Sequence, residues 1–274
     1  MQGEGALWVD VRTFVVFGAG SSVLGSVDSA TLTPTGADVG SLALPNGRGA
    51  VAVPLSSSLD ATSRFAVWTS QGTSSPVSGV PVAWSRDGSR LAIWHWTSGP
   101  SGPTVRGWIE VVAWPGLRSA LQIKSHPTSP FRGQVQFDPA GQHLYVNGAV
   151  VNLVSGTVTP VIPGFQPGDP TWTWDGQLVV PSLDGRDAAV FDVNGQERGS
   201  VPGTGSNVVA AADGSLVASW SSASASPILL IRGSRHEEVG PPGPVQDVVP
   251  DPTGATLVAI AAAEGGISAF LLQP

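Results

Sequence analysis

Six stretches of the chain repeat one plan: an apolar strand, a tight turn closed by glycine, and a second apolar strand. They are SATLTPTGADVGSLAL (Ser29–Leu44), VAWSRDGSRLAIW (Val82–Trp94), VQFDPAGQHLYV (Val135–Val146), TWTWDGQLVV (Thr171–Val180), VVAAADGSLVASW (Val208–Trp220) and VVPDPTGATLVAI (Val248–Ile260). The turn glycines are Gly36, Gly88, Gly141, Gly176, Gly214 and Gly254, spaced 52, 53, 35, 38 and 40 residues apart. Glycine there supplies the positive φ that a tight hairpin needs. A period near 40 residues built from short strands is the signature of a propeller blade. The chain also holds 35 Gly and 24 Pro, spread along its length. A helical protein cannot carry so many breakers, whereas an all-β chain needs them at its turns.

The expected fold is an all-β, six-bladed β-propeller in a single domain, residues 1–274. Residues 26–274 hold six repeats, and residues 1–25 supply a closing strand and loop. Gly107–Trp114 and Ala188–Val193 read as third strands, and Thr157–Ile162 and Gln196–Val201 as fourth, outer strands. Phe65–Trp68 reads as the outer strand of the first blade. The last repeat ends at Gly265–Gln273 with three strands, and Ala6–Phe17 is the spare strand that would complete it. A rival registration puts the first turn at Asn46-Gly47 and makes seven blades.

VVFGAGSSVLG (Val15–Gly25) has the glycines of a nucleotide loop. Such a loop needs a helix directly after it. Here SVDSATLTPTG follows, so the stretch reads as a strand and a turn. Charged residues are 12% and net charge is −7, which does not suit nucleic acid. The absence of cysteine excludes disulfides, thiolate metal sites and cysteine nucleophiles. No apolar run is long enough to span a membrane, and MQGEG does not read as a signal peptide.

The units VAWSRDGSRLA and FDPAGQHLYV resemble the strand-turn-strand repeat of WD40-like propellers of the TolB type and of the YVTN, lactonase-like type. The resemblance runs over nearly the whole chain from Ser29. It implies a propeller but leaves the function open among protein-binding scaffolds, periplasmic accessory proteins, lactonases and lyases. Trp174 stands where the turn proline is usual, and Ala210–Ala212 is a bare version of the anchor. The Trp-Asp that closes eukaryotic blades has two displaced near matches, Trp8-Val9-Asp10 and Trp174-Asp175.

The histidines, His95, His126, His143 and His236, are too far apart in sequence for a metal pair. His126 precedes Pro127 in a loop, and His143 is expected at a strand start facing solvent. Arg235-His236-Glu237-Glu238 reads as a charged outer strand, a device against edge pairing. His95, between Trp94 and Trp96, should face away from both. SLDGRDA has too few alternate oxygens for calcium, and no G-x-S-x-G nucleophile elbow occurs. Trp84, Phe137 and Trp172 each stand four residues before a turn glycine, in a core slot between blades. Residues at the starts of inner strands, Arg132, Gln134, Asp169, Asn207, Gln246 and Asp247, suit a wet pore entrance more than a catalytic group.

The function expected is a non-catalytic scaffold or accessory subunit, placed in the cell envelope, periplasmic or extracellular, with the cytoplasm as the alternative. Its partner would be another protein, with no cofactor, metal, nucleic acid or membrane span. Three loops of one face would form the contact: Trp96–Arg106 with its insertion TSGPSGPTVR, Pro127–Arg132 and Phe165–Asp169. The candidate residues are Trp96, Arg106, Phe131, Arg132, Phe165 and Asp169, aromatics and charges of the kind that anchor interfaces. The rival readings are a lactonase-like hydrolase or lyase with a metal at the channel mouth, and a structural subunit of an envelope assembly.

Overall fold

A computed structural model describes residues 5–10, 12–18, 21–26, 32–34, 43–55, 62–98, 105–125, 135–161, 170–173, 175–181, 187–202, 207–210, 217–220, 227–232, 235–240, 244–250, 257–263 and 266–272. Every regular element among them is a β-strand, and each sheet is antiparallel. Contacts divide the chain into two units, Met1–Val135 and Gln136–Pro274.

The first unit holds three sheets. One is β1 (Gly5–Trp8), β2 (Thr13–Gly18), β3 (Ser21–Ser26) and β4 (Leu32–Pro34), in that order. The next runs β5 (Leu44–Pro45), β6 (Ala50–Pro54), β7 (Arg64–Thr69) and β8 (Gly72–Thr73), with β9 (Val77–Ser78) also on β7. The third is β10 (Val80–Trp84), β11 (Arg90–Ser98), β12 (Val105–Ala113) and β13 (Arg118–Ser125). The second unit continues the plan. It has β14 (Val135–Phe137, starting at the boundary), β15 (His143–Val146), β16 (Ala149–Asn152) and β17 (Val158–Pro160), then β18 (Thr171–Trp172), β19 (Leu178–Pro181), β20 (Asp187–Phe191) and β21 (Glu197–Pro202). Next come β22 (Asn207–Ala210), β23 (Val217–Trp220), β24 (Ile228–Arg232) and β25 (Arg235–Val239). The last sheet has β26 (Val245–Pro250), β27 (Leu257–Ala263) and β28 (Gly266–Leu272).

The described strands therefore make seven sheets, not the six of the repeat count. Two local features account for the difference. Ala6–Phe17 is not one closing strand but a hairpin, with Leu7 opposite Val15, which pairs onward with β3. Its turn is held by Asp10, whose Oδ1 accepts the Arg12 amide at 2.8 Å. Then the described parts of Ser29–Leu44 fall in different sheets: β4 ends one and β5 begins the next. The hairpin of the second sheet turns at Asn46-Gly47, where Gly47 has φ 68° and Asn46 Oδ1 accepts the amides of Arg48 and Ala50. Phe65–Trp68 consequently lies in β7, inside its sheet. Gly36, Gly214 and Gly254 lie outside the described residues.

At Gly88, Gly141 and Gly176 the turn is the one expected. The glycine amide bonds back to the carbonyl three residues earlier (Ser85, Asp138, Thr173) at 2.8, 2.9 and 3.0 Å, with φ of 68°, 65° and 79°. Ser85 Oγ accepts the Arg90 amide, Thr173 Oγ1 that of Gln177, and Asp138 Oδ1 those of Gln142 and His143. A short polar side chain at the first turn position therefore satisfies amides that the bulged hairpin leaves open.

Apolar faces of neighbouring sheets pack together. Ala52, Phe65 and Val67 meet Leu91, Ile93 and Val112 in the first unit. Ala218, Trp220, Ile228 and Leu230 meet Val245, Val248, Leu257, Ala259 and Leu272 in the second. The tryptophans four residues before the turn glycines stitch successive sheets. Trp84 Nε1 donates to the Leu44 carbonyl at 2.9 Å, and Trp172 Nε1 to the Gln136 carbonyl at 3.2 Å. Phe137 fills the same slot, 8% exposed.

Candidate functional site

The sheet of β10–β13 carries the longest strands described. Nine residue pairs join β11 to β12, from Arg90–Ala113 to Ser98–Val105. Val80 of β10 reaches only as far as Trp94, and Ser125 of β13 only as far as Gly107. Beyond those points Thr97 pairs with Arg106 and Ser98 with Val105, flanked by no other described strand. TSGPSGPTVR is thus less of a loop than its glycines and prolines suggest, because both of its ends continue the ladder. Among the described residues the result is a two-stranded projection from the sheet.

The base of this projection is tightly built. Trp94, 1% exposed, lies over Gly107, where a Cβ would run into the indole. On the opposite side of β11, as alternation requires, His95 stacks flat on Trp108, ring centroids 4.9 Å apart and planes 7° from parallel. His95 Nε2 meets Glu110 Oε2 at 3.0 Å. Gly79 lies beneath, with His95 Cε1 3.0 Å from where its Cβ would be. Sequence spacing alone could not join His95 to Glu110, because the β11–β12 register creates the pair.

Of the six candidate contact residues, Trp96 and Arg106 have their backbones on this projection, Trp96 opposite Gly107 and Arg106 opposite Thr97. Phe131, Arg132, Phe165 and Asp169 lie outside the described residues, as do His126 and Gln134. The other histidines have structural employment or stand on an edge. His143 does not face solvent: its side chain is 12% exposed, and Nδ1 donates to Asp138 Oδ2 at 3.2 Å. Asn152 Nδ2 donates to His143 Nε2 at 3.2 Å, while Asn152 Oδ1 accepts the amides of Val154 and Ser155. This chain ties the β14–β15 turn to the β16–β17 turn and fixes the Nδ1–H tautomer. Arg235, His236, Glu237 and Glu238 are exposed on β25, the outermost strand of its sheet, as an edge-guarding cluster should be. Asn207 donates to the Trp220 carbonyl at 3.4 Å. Among the described residues no three His, Asp or Glu side chains gather to hold a metal ion.

Turn carboxylates carry the clearest electrostatics. Burial pushes the Asp87 carboxyl up, but hydrogen bonds from Ser85 Oγ at 2.6 Å, Ser89 Oγ at 2.7 Å and the Ser89 amide at 3.0 Å outweigh it, helped by Arg90. Its pKa therefore lies below the ordinary carboxylate value. Desolvation likewise raises Asp192, and the Gln196 amide, Arg198 and the Asn194 amide more than reverse it. In both, the folded-state pKa is depressed, so the stabilisation is complete above the unfolded value of about 4 and is lost as pH falls through the folded value. The expected result is that Asp87→Asn with Asp192→Asn lowers the urea midpoint at pH 7, and that the gap from the parent chain closes towards pH 3. A gap independent of pH would contradict it.

No protein-family model matches the sequence, and no curated protein does. Solved structures do. A chain of the mitotic checkpoint complex superposes with a TM-score of 0.65 at 12% identity, over 99% of this chain and 95% of that one. A eukaryotic initiation factor gives 0.60 at 10% identity, over 99% and 85%. BamB from Moraxella catarrhalis gives 0.59 at 12% identity, over 98% and 84%. The chain has a β-propeller fold. In this propeller no described helix is long and apolar enough to cross a membrane.

Proposed function

We propose that this propeller is a non-catalytic, protein-binding scaffold or accessory subunit of the cell envelope, with each of the seven sheets serving as a blade. The β11–β12 projection carries the reading. It has an aromatic and an arginine, Trp96 and Arg106, on paired strands that outrun the other described strands of their sheet. Aromatic and arginine residues supply most of the energy at interface centres. The fold is shared with a chain of the mitotic checkpoint complex, a multi-protein assembly, which is in keeping with an interaction role.

Replacing Trp96 and Arg106 together with alanine is expected to weaken partner binding by about 2 kcal/mol or more, roughly 30-fold. The melting temperature should stay within about 2 °C of the parent, as for surface changes. Titration of both proteins against a partner captured from envelope extracts, beside a melting curve, makes the measurement. Unchanged affinity would remove the hairpin from the interface.

A further inference from the structure

We propose that Asn194-Gly195 is a self-modification site, where the folded chain converts Asn194 to isoaspartate and thereby loosens the β20–β21 turn. The reaction needs no catalyst and no reactant but water. The Gly195 backbone nitrogen attacks Asn194 Cγ, and a C–N bond forms while the bond from Cγ to the side-chain nitrogen breaks. Ammonia leaves, taking up the proton of the Gly195 nitrogen, and a cyclic imide remains. Water then opens the ring. Cleavage at the former backbone carbonyl routes the main chain through Cβ, which is isoaspartate, and cleavage at Cγ gives aspartate. Glycine favours the first step because it has no Cβ to shield the attacking nitrogen and leaves the backbone free to turn.

The sequence has three such pairs, Asn46-Gly47, Asn147-Gly148 and Asn194-Gly195. The structure separates them. Asn46 is buried, and its Oδ1 accepts the amides of Arg48 at 2.8 Å and Ala50 at 3.0 Å. Asn147 is half-buried with φ 44°, and Gly148 is buried with its carbonyl accepting the Val161 amide at 2.8 Å. Ring closure at either would break buried polar contacts, which is costly. Asn194 is exposed at the tip of its turn. Its backbone amide donates to Asp192 Oδ1 at 2.9 Å, and the Gly195 amide donates to the Asp192 carbonyl at 2.9 Å. There the attacking nitrogen is released by opening one turn hydrogen bond.

The glycine that makes the pair labile is also one that the fold requires. Gly195 has φ 76°, and a Cβ on it would lie 2.9 Å from Thr159 Cγ2 and 3.0 Å from Val161 Cγ2. The turn therefore presses against the neighbouring sheet at β17, and its ends are tied by Asp192 N to the Gln196 carbonyl and Gln196 N to Asp192 Oδ1. Isoaspartate inserts an extra main-chain carbon into this clamped turn. It also sets a second carboxylate beside Asp192, which already holds Arg198. The lengthened turn cannot keep both its own hydrogen bonds and its seat on Thr159 and Val161.

Incubating the full chain in mildly alkaline buffer, folded and in urea, and mapping its peptides by mass spectrometry tests this. In urea the three asparagines should convert at similar rates. In the folded chain Asn194 should convert at least about tenfold faster than Asn46 or Asn147, because only its turn opens so locally. Asn46 or Asn147 keeping pace with Asn194 in the folded chain would overturn the proposal, and so would the same preference persisting in urea. Hydrogen exchange on the separated isoaspartate form reads the second half. The Asp192 and Gln196 amides should exchange at least about tenfold faster than in the parent, while the Asn194→Asp chain, which gains the charge without the extra carbon, keeps most of their protection. Unchanged exchange in the isoaspartate form would show that the turn absorbs the change, and equal loss in Asn194→Asp would assign it to charge; either contradicts a turn loosened by its lengthened backbone.

Discussion

Gly107→Ala is expected to destabilise the chain by about 3 kcal/mol, at the upper end for overpacking a core. For a chain of this size that lowers the melting temperature by roughly 6–12 °C. The cause is space and not backbone conformation. The new Cβ would collide with Cζ2 and Cη2 of Trp94 and lie 2.8 Å from the His95 carbonyl oxygen. Neither can yield, since Trp94 is 1% exposed and His95 is in the β11–β12 ladder. Trp94→Phe removes the colliding ring atoms, so the double variant should cost at least about 1 kcal/mol less than the sum of the singles. Urea unfolding of the four proteins measures the coupling. Additive costs would show that the indole is not what excludes the side chain.

Asp138→Ala is the second large effect, again about 3 kcal/mol. The carboxylate is 3% exposed and accepts the Gln142 amide at 2.7 Å, the His143 amide at 2.8 Å and His143 Nδ1 at 3.2 Å. Alanine leaves two turn amides and an imidazole without their acceptor, at about 1–3 kcal/mol for each group left buried and unpaired. Asp138→Asn keeps Oδ1 for the amides and should cost only about 1 kcal/mol. Denaturant midpoints decide: an alanine variant within about 0.5 kcal/mol of the parent would mean that water replaces the carboxylate.

What could be read from sequence follows how local each cause is. The turns at Gly88, Gly141 and Gly176 were legible because four consecutive residues contain their own hydrogen bonds. The first hairpin was not, because Val9-Asp10-Val11-Arg12 turns on an aspartate side chain with no glycine. Pro34-Thr35-Gly36 and Asn46-Gly47 both read as turn signals, and only the pairing of β5 with β6 places a hairpin at the second, in a chain whose described strands form seven sheets. Thr97–Arg106 looked like a loop because its glycines and prolines hid the strand ends at Ser98 and Val105. The projection, and the His95–Glu110 pair at its base, exist only through cross-strand register, information that no single stretch holds.

The most direct test of the scaffold role is site-specific photocrosslinking in the native cell envelope. One chain carries benzoylphenylalanine in place of Trp96, at the base of the projection. A second carries it in place of Glu197, on the outer strand β21. The expected result is one defined protein adduct from position 96, competed by the unlabelled parent chain and not by the Trp96→Ala, Arg106→Ala variant, with none from position 197. Equal adducts from both positions, or none from position 96 with the chain folded and present in the envelope, would contradict a propeller that works by binding a protein through its β11–β12 hairpin.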